Sequence, residues 1–167
     1  MVPYIAMQPI QKVIVPVDFN QHTDDLTEFA IGVANKLEAK VIFFHVASVA
    51  EHALGDLDYS LKAIELLNEE IIVHAGKKMA ALVEKSKTEC PGCEGVVLNG
   101  DVPEDIVLYA MEHNNDLMIM GTHGAQGIEK ILLGSVTEQV LRRASCPILI
   151  FNPYKGLAFE PDYPVVR

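Results

Sequence analysis

The sequence predicts an α/β protein with one five-stranded parallel sheet, strand order 3-2-1-4-5, and helices on both faces. Short apolar runs alternate in strict order with longer stretches in which apolar residues recur every three or four positions. Parallel strands need a crossover between them, and strict alternation of strand and helix supplies one each time. Right-handed crossovers and a first strand near the centre of the sheet give the predicted order.

The elements can be assigned in chain order. The β-branched run from Lys12 ends at Asp18 and is the first strand, and the stripe Leu26, Phe29, Val33 and Leu37 marks the first helix. A longer stripe predicts the longest helix, and Pro103 suits the first position of the next one. The predicted strands are 12–17, 40–46, 95–99, 116–120 and 146–151, and the predicted helices are about 23–38, 59–87, 103–113 and 134–144.

Length, composition and charge exclude several classes of protein. The 167 residues suit one domain, predicted over 11–152, with an extension over 1–10 and a tail over 153–167. Half of the residues are hydrophobic, which excludes a disordered chain. No apolar run has membrane-spanning length, and 1–11 does not resemble a signal peptide, so we expect a cytoplasmic protein. The net charge of −10 disfavours nucleic acid and anionic membranes as partners.

The most informative segment is a glycine-rich loop that follows the fourth strand. Gly121 and Gly124 leave the main chain open to a ligand, and Gly134 and Ser135 begin a helix whose free amides favour an anion. The hydroxyls of Ser135 and Thr137 can donate further bonds. The segment is neither a P-loop, since it lacks Gly-Lys-Ser/Thr, nor a Rossmann fingerprint. The alternative is that these glycines only make a turn and a helix start, but their joint spacing favours a ligand site.

The fold supports that placement. Ligands in open parallel sheets bind at the carboxyl ends of the strands that border the reversal of winding, here the first and fourth strands. That rule selects Pro16 to Asn20 and Met120 to Gly124. A carboxylate such as Asp18 often caps nearby amides at such a position, but its location at the reversal favours ligand contact.

The glycine spacing resembles that of the universal stress protein family. Gly121-x2-Gly124-x9-Gly134-Ser135 matches the glycine pattern of the family's ATP-binding members, and Val15 to Asp18 resembles the family's first strand. Pro147 to Ile150 resembles its last strand, so the resemblance extends over about 11–152. It implies an adenine nucleotide as the ligand, ATP or else ADP or AMP, and Mg²⁺ is a further candidate if it bridges the phosphates.

The resemblance also implies a role for each site residue. Asp18 would bond the ribose hydroxyls or the adenine edge, and Asn20 stands where the family commonly has serine. His123 could touch a phosphate or face solvent, and the sequence leaves both open. By the same resemblance, the adenine base would be lined by Pro16, Val17 and Val46, and the adenine and ribose would be flanked by Met120 and Gly121. The phosphates would be cradled by Gly124, Gly134, Ser135, Val136 and Thr137.

The same resemblance implies a homodimer that pairs the final strands, here Cys146 to Phe151. An unpaired apolar edge strand is a liability, so such pairing is physically sensible as well.

The cysteines offer a second, competing motif. Cys90-Pro91-Gly92-Cys93 has the spacing of redox and zinc sites, but no second close cysteine pair completes a zinc site. Redox cysteines usually open a helix, whereas these follow one, so the sequence favours a surface turn. Cys146 is predicted to be buried packing, and no metal site is predicted.

These observations predict a nucleotide-binding regulatory protein, and the resemblance implies a role in the stress response. No nucleophile, base and acid can be identified from spacing, so no catalytic residue is predicted, although slow ATP hydrolysis is compatible with the loop. Two alternatives stay open: an enzyme that hydrolyses ATP or transfers a nucleotidyl group, and a dimeric adaptor that binds no nucleotide.

Overall fold

The computed structural model of the chain describes residues 9–47, 61–122 and 133–153. Within these ranges five strands alternate with four helices, and their bounds differ from the predicted ones by no more than two residues. The elements are β1 (Lys12–Pro16), α1 (Thr23–Leu37), β2 (Lys40–Ala47), α2 (Leu61–Ser86), β3 (Glu94–Asn99), α3 (Val102–Glu112), β4 (Leu117–Gly121), α4 (Ser135–Arg143) and β5 (Ile148–Phe151).

The predicted sheet topology is confirmed. The strands lie in the order β3-β2-β1-β4-β5, and every neighbouring pair is parallel. The central strand β1 therefore has β2 on one side and β4 on the other, and the winding of the chain reverses between β1 and β4. This is the position at which sheets of this class place their ligands.

Helices cover both faces of the sheet, and each face has its own core. On one face, Val13 and Val15 of β1 pack with apolar residues of α1 and α2. On the other face, Ile14 packs with α3 and α4. Since both faces of β1 are buried, its sequence shows a continuous apolar run instead of an alternating one.

Element ends follow local chemistry. Helix α1 ends at Leu37 because Glu38 adopts a left-handed conformation, φ 55°, and closes the helix with its own amide. Helix α3 begins one residue before Pro103, since the Asp101 carboxylate accepts the Glu104 amide at 3.0 Å as an N-cap. Strand β5 begins at Ile148, two residues later than predicted, because Pro147 before it has no N–H to donate.

Residues 90–93 form a turn at the surface, as the sequence favours, in which the Cys93 amide donates to the Cys90 carbonyl at 3.0 Å. The side chains of Cys90 and Cys93 do not share the exposure of the turn, because they are only 4% and 7% exposed and belong to the core beneath α1 and α2. The turn is short, so Pro91 and Gly92 take the exposed positions while the flanking thiols point inward. Cys146 is half-buried against the opposite core.

Among the described residues, the helices include none with both the length and the apolar character needed to cross a bilayer.

Candidate functional site

The carboxyl ends of β1, β2 and β4 meet at one edge of the sheet. Pro16, the last residue of β1, is in register with Phe44 of β2, and Ile14 is in register with Met118 of β4. The Val17 amide still donates to the Phe44 carbonyl at 2.8 Å, so the chain leaves β1 beside the end of β2. Residues that lie far apart in the sequence are therefore brought to a single edge, as predicted from the topology.

The exit from β1 is a tight polar turn. The Asp18 carboxylate is exposed and accepts two hydrogen bonds from Asn20, one from the amide at 3.2 Å and one from the side chain at 3.1 Å. The Asn20 side-chain oxygen in turn accepts the His22 amide at 2.7 Å, just before α1 begins. Asn20 therefore closes the turn that presents Asp18, and two carboxylate oxygens remain open to solvent with unused acceptor capacity.

The main-chain amide and carbonyl of Val17 are both hydrogen-bonded to residues of β2. Its amide donates to the Phe44 carbonyl at 2.8 Å, and its carbonyl lies 2.7 Å from Nδ1 of His45. The Val17 side chain packs into the core under α1 and α2, whereas Val46 and Met120 pack into the opposite core with Val136. The apolar residues expected around a base are therefore divided between the two faces, and Val46, Met120 and Val136 form one group.

Three hydrogen bonds hold the exit of β4, one to the end of β5 and two to the start of α4. The Thr122 amide donates to the Phe151 carbonyl at 2.9 Å, and the Thr122 carbonyl accepts the Gly134 amide at 2.8 Å. The Thr137 hydroxyl donates to the Gly121 carbonyl at 3.0 Å. The structure thus gives this buried hydroxyl a role different from the predicted phosphate contact: it holds the end of β4 against α4.

The first turn of α4 has the features of an anion-binding site. Gly134 is the N-cap, has φ −59° and ψ 149°, and supplies no capping side chain. The first intrahelical bond runs from the Glu138 amide to the Gly134 carbonyl at 2.9 Å. The amides of Ser135, Val136 and Thr137 precede that bond, so they have no acceptor within the helix. Amides in this position, together with the helix dipole, favour a negatively charged group.

The remaining predicted site residues are placed as follows. Pro16, Asn20 and Gly121 are half-buried at the strand ends, and Ser135 is exposed at the start of α4. His123 and Gly124 lie outside the described residues. In the ranges that the structure describes, no three His, Cys, Asp or Glu side chains come together as metal ligands.

This arrangement is suited to binding a molecule with an anionic end and a polar end. One end would meet the first-turn amides of α4, and the other would meet the Asp18 carboxylate at the β1 exit. The apolar group formed by Val46, Met120 and Val136 lies on the α3 and α4 side of the same edge.

The comparison with known protein families decides what kind of protein this is. The model of the universal stress protein family matches residues 9–152. The chain belongs to the universal stress protein family. A universal stress protein of Methanocaldococcus jannaschii is 32% identical over 147 residues, which cover 87% of this chain and 84% of that protein.

Solved universal stress proteins share the fold. UspA from Lactobacillus plantarum is similar with a TM-score of 0.71 and 19% identity, covering 86% of this chain and 99% of that one. A universal stress protein in complex with cAMP has a TM-score of 0.56 and 23% identity, covering 87% of this chain and 98% of that one. A family member from Arabidopsis thaliana with AMP bound has a TM-score of 0.57 and 17% identity, covering 85% of this chain and 91% of that one.

Three residues at the edge of this universal stress protein fold were not singled out as site residues from the sequence. Phe19 adopts a left-handed conformation with φ 55°, and its ring packs 4.6 Å from that of His45. The Lys78 ammonium lies 5.7 Å from the centre of the Phe19 ring and brings a positive charge towards the β1 exit. The bond of His45 to the Val17 carbonyl ties its ring to the end of β1, and no local sequence signal points to Phe19 or Lys78.

Proposed function

We propose that the protein binds an adenine nucleotide, foremost ATP, across the carboxyl edge of β1 and β4 and acts as a regulatory module. The observation that carries this proposal is the first turn of α4, where a side-chain-free N-cap leaves three amides without helical acceptors next to the β4 exit. The neighbours with bound AMP and cAMP support an adenine nucleotide as the class of ligand.

Each end of the nucleotide has a counterpart at this edge. The phosphates would accept the amides of Ser135, Val136 and Thr137, while Asp18 would accept hydroxyl protons of the ribose or an adenine amine. Hydrogen bonds to charged groups contribute about 1.5–3 kcal/mol each. Three or four of them are sufficient for an affinity near 1 µM, which corresponds to about 8 kcal/mol.

The hydrogen-bond donors at the site must outweigh the repulsion between the phosphates and the protein's net negative charge. The chain carries a net charge of −10 and would repel a polyphosphate at long range. The α4 amides act at contact distance, where the repulsion from dispersed surface carboxylates is screened by salt. Mg²⁺ would further reduce the repulsion by bridging the phosphates, since it is usually held by phosphate oxygens, water and few protein ligands. We place this function in the cytoplasm, where ATP is abundant.

Replacing Asp18 with asparagine tests the nucleoside end of the site. Asparagine retains an oxygen that accepts the Asn20 amide, so the turn is kept while the charge is lost. We expect the affinity for ATP and for AMP to fall about 10- to 100-fold, the equivalent of one charged hydrogen bond. Binding of inorganic tripolyphosphate should be unchanged. Isothermal titration with the three ligands measures this division.

The matched control is Asp25→Asn, which removes an exposed carboxylate from the first turn of α1. It changes the net charge equally and should leave all three affinities as in the wild type. An equal loss of AMP and tripolyphosphate binding in Asp18→Asn would contradict the assignment of Asp18 to the nucleoside.

We also propose that β5 pairs with its copy in a homodimer. The Pro147 and Phe151 carbonyls accept bonds from Met118 and Thr122, so alternate residues of β5 direct their main chain towards β4. Ile148 and Ile150 stand between them and therefore direct their N–H and C=O groups to the open edge. Those groups, together with the half-buried apolar side chains of β5, support this edge as the dimer surface.

Replacing Ile150 with proline tests the dimer. Proline removes an outward-facing donor and blocks approach of a second strand, while the bonds of Pro147 and Phe151 to the neighbouring strand are retained. We expect a folded monomer by sedimentation at concentrations where the wild type is a dimer. Ile150→Val keeps the donor and should stay dimeric. A dimeric proline variant would place the interface elsewhere.

A further inference from the structure

A dithiol lies at the amino edge of the sheet, opposite the nucleotide site. Cys90 and Cys93 are the first and fourth residues of the turn that joins α2 to β3, closed by the bond from the Cys93 amide to the Cys90 carbonyl at 3.0 Å. The first and fourth Cα atoms of a β-turn lie within about 7 Å. A disulfide needs a Cα separation of about 4.4–6.8 Å, so the turn holds the two residues at bridging distance.

Both thiols are directed to the same side of this turn. Both side chains are buried in the core beneath α1 and α2, and the Cys93 thiol donates to the Val83 carbonyl at 3.8 Å. Burial and the adjacent Cys90 thiol raise the pKa of Cys93 above its ordinary value. The two side chains flank one closed turn and belong to the same core cluster, so their sulfur atoms are neighbours within the core.

One of the two cysteines borders a surface hollow. A hollow of about 530 Å³ lies between the end of α1, the start of β2 and the turn, and Cys90 is among the residues that line it. Cys93 is not among the residues that line this hollow. A reagent of the size of water or hydrogen peroxide would therefore meet Cys90 first.

We propose that Cys90 and Cys93 form a peroxide-responsive dithiol that closes to an intramolecular disulfide. The Cys90 thiolate attacks one oxygen of hydrogen peroxide, the O–O bond breaks, and the products are a sulfenic acid and, after proton transfer, water. The Cys93 sulfur then attacks the Cys90 sulfur, forming the S–S bond and releasing the sulfenic oxygen as a second water. Two sulfurs are oxidised by one electron each, and the peroxide accepts both electrons.

The surroundings favour this chemistry over metal binding. In the part of the chain that the structure describes, no third His, Cys, Asp or Glu joins the pair to make a ligand set. Cys146 belongs to the opposite core and cannot supply a second sulfur partner without unfolding. Among the residues that the structure describes, the core cluster of Cys90 contains one other thiol, that of Cys93, and the thioether of Met79.

The test is oxidation of the folded, full-length protein by hydrogen peroxide. We expect the intact mass to fall by two hydrogens, about 2 Da, and the proteolytic peptide containing Cys90 and Cys93 to carry the loss. A dithiol reagent should restore the original mass, and Cys146 should stay open to alkylation after unfolding. The unfolding temperature of the oxidised protein should rise, because the bridge restricts the unfolded chain.

Three variants identify the partners. Cys146→Ser should form the bridge as the wild type does, and Cys93→Ser should stop at a sulfenic acid on Cys90 that dimedone traps. Cys90→Ser should resist peroxide, because the remaining thiol does not line the hollow. The proposal is overturned if wild type and Cys146→Ser only gain oxygen, form a disulfide between chains, or stay unmodified until they are unfolded.

Discussion

Replacing Gly134 with aspartate is expected to abolish nucleotide binding without loss of the fold. Aspartate is among the most favoured N-cap residues, and Gly134 already has a φ of −59° that any residue can adopt. Its carboxylate would accept the same first-turn amides that we assign to the phosphates. The variant would therefore fill the anion site with its own charge and also repel the ligand.

The expected loss of affinity is large. Two charged hydrogen bonds removed from the phosphates amount to at least about 3 kcal/mol, which is a fall of about 100-fold or more in the affinity for ATP. Isothermal titration measures the affinity, and thermal unfolding checks that the variant is as stable as the wild type.

Gly76→Asp is the matched control for charge. It adds the same carboxylate to α2, where a new Cβ would have no neighbour within 4 Å. Its affinity for ATP should equal that of the wild type, within the small effect of one more distant charge. If Gly134→Asp bound ATP as tightly as this control, the start of α4 would not be the phosphate site.

The largest effect on stability is expected for Phe43→Ala. Phe43 lies in β2, which is paired on both sides, and its side chain is 0% exposed. Removing a fully buried phenylalanine costs about 3–5 kcal/mol, from lost burial and from the cavity left behind. This is a large part of the 5–15 kcal/mol by which native proteins are stable.

Phe29→Ala makes the same chemical change at the surface of α1. Its ring stacks on Phe151 at 4.9 Å, but 37% of Phe29 is exposed to solvent in the folded protein. Removing its side chain therefore loses less buried surface. We expect a cost below about 2 kcal/mol. Urea unfolding at one fixed protein concentration measures both free energies, since dimerisation would otherwise change the apparent stability. Similar losses in the two variants would contradict the assignment of Phe43 to the core.

The fold could be predicted from the sequence because its signals are local and repeat. The apolar runs of buried parallel strands and the periodic stripes of α1 and α2 depend only on which side chains must leave water. The exact ends of elements could not be predicted where they depend on the backbone conformation of a single residue. The left-handed Glu38 that ends α1 gives no sequence signal comparable to a glycine.

The candidate site could be predicted in outline for a related reason. Topology and the glycine spacing indicate the β1 exit and the α4 start, since both follow from the order of the elements. The hydrogen-bond partners could not be predicted, because they join residues that only the tertiary fold brings together. The Thr137 hydroxyl bonds Gly121 and His45 bonds Val17. The inward direction of the Cys90 and Cys93 thiols likewise depends on how the turn is seated on the core.

Thr122 connects the edge strand β5 to the start of α4. Its amide is bonded to Phe151 and its carbonyl to Gly134, so two main-chain bonds in series run from the outer strand to the cap of α4. A displacement of the outer strand on subunit pairing would be passed to Gly134 over this short path. Coupling between two binding equilibria is reciprocal. If subunit pairing changes the dissociation constant of a ligand bound at the cap, that ligand would change the dissociation constant of the subunits by the same factor.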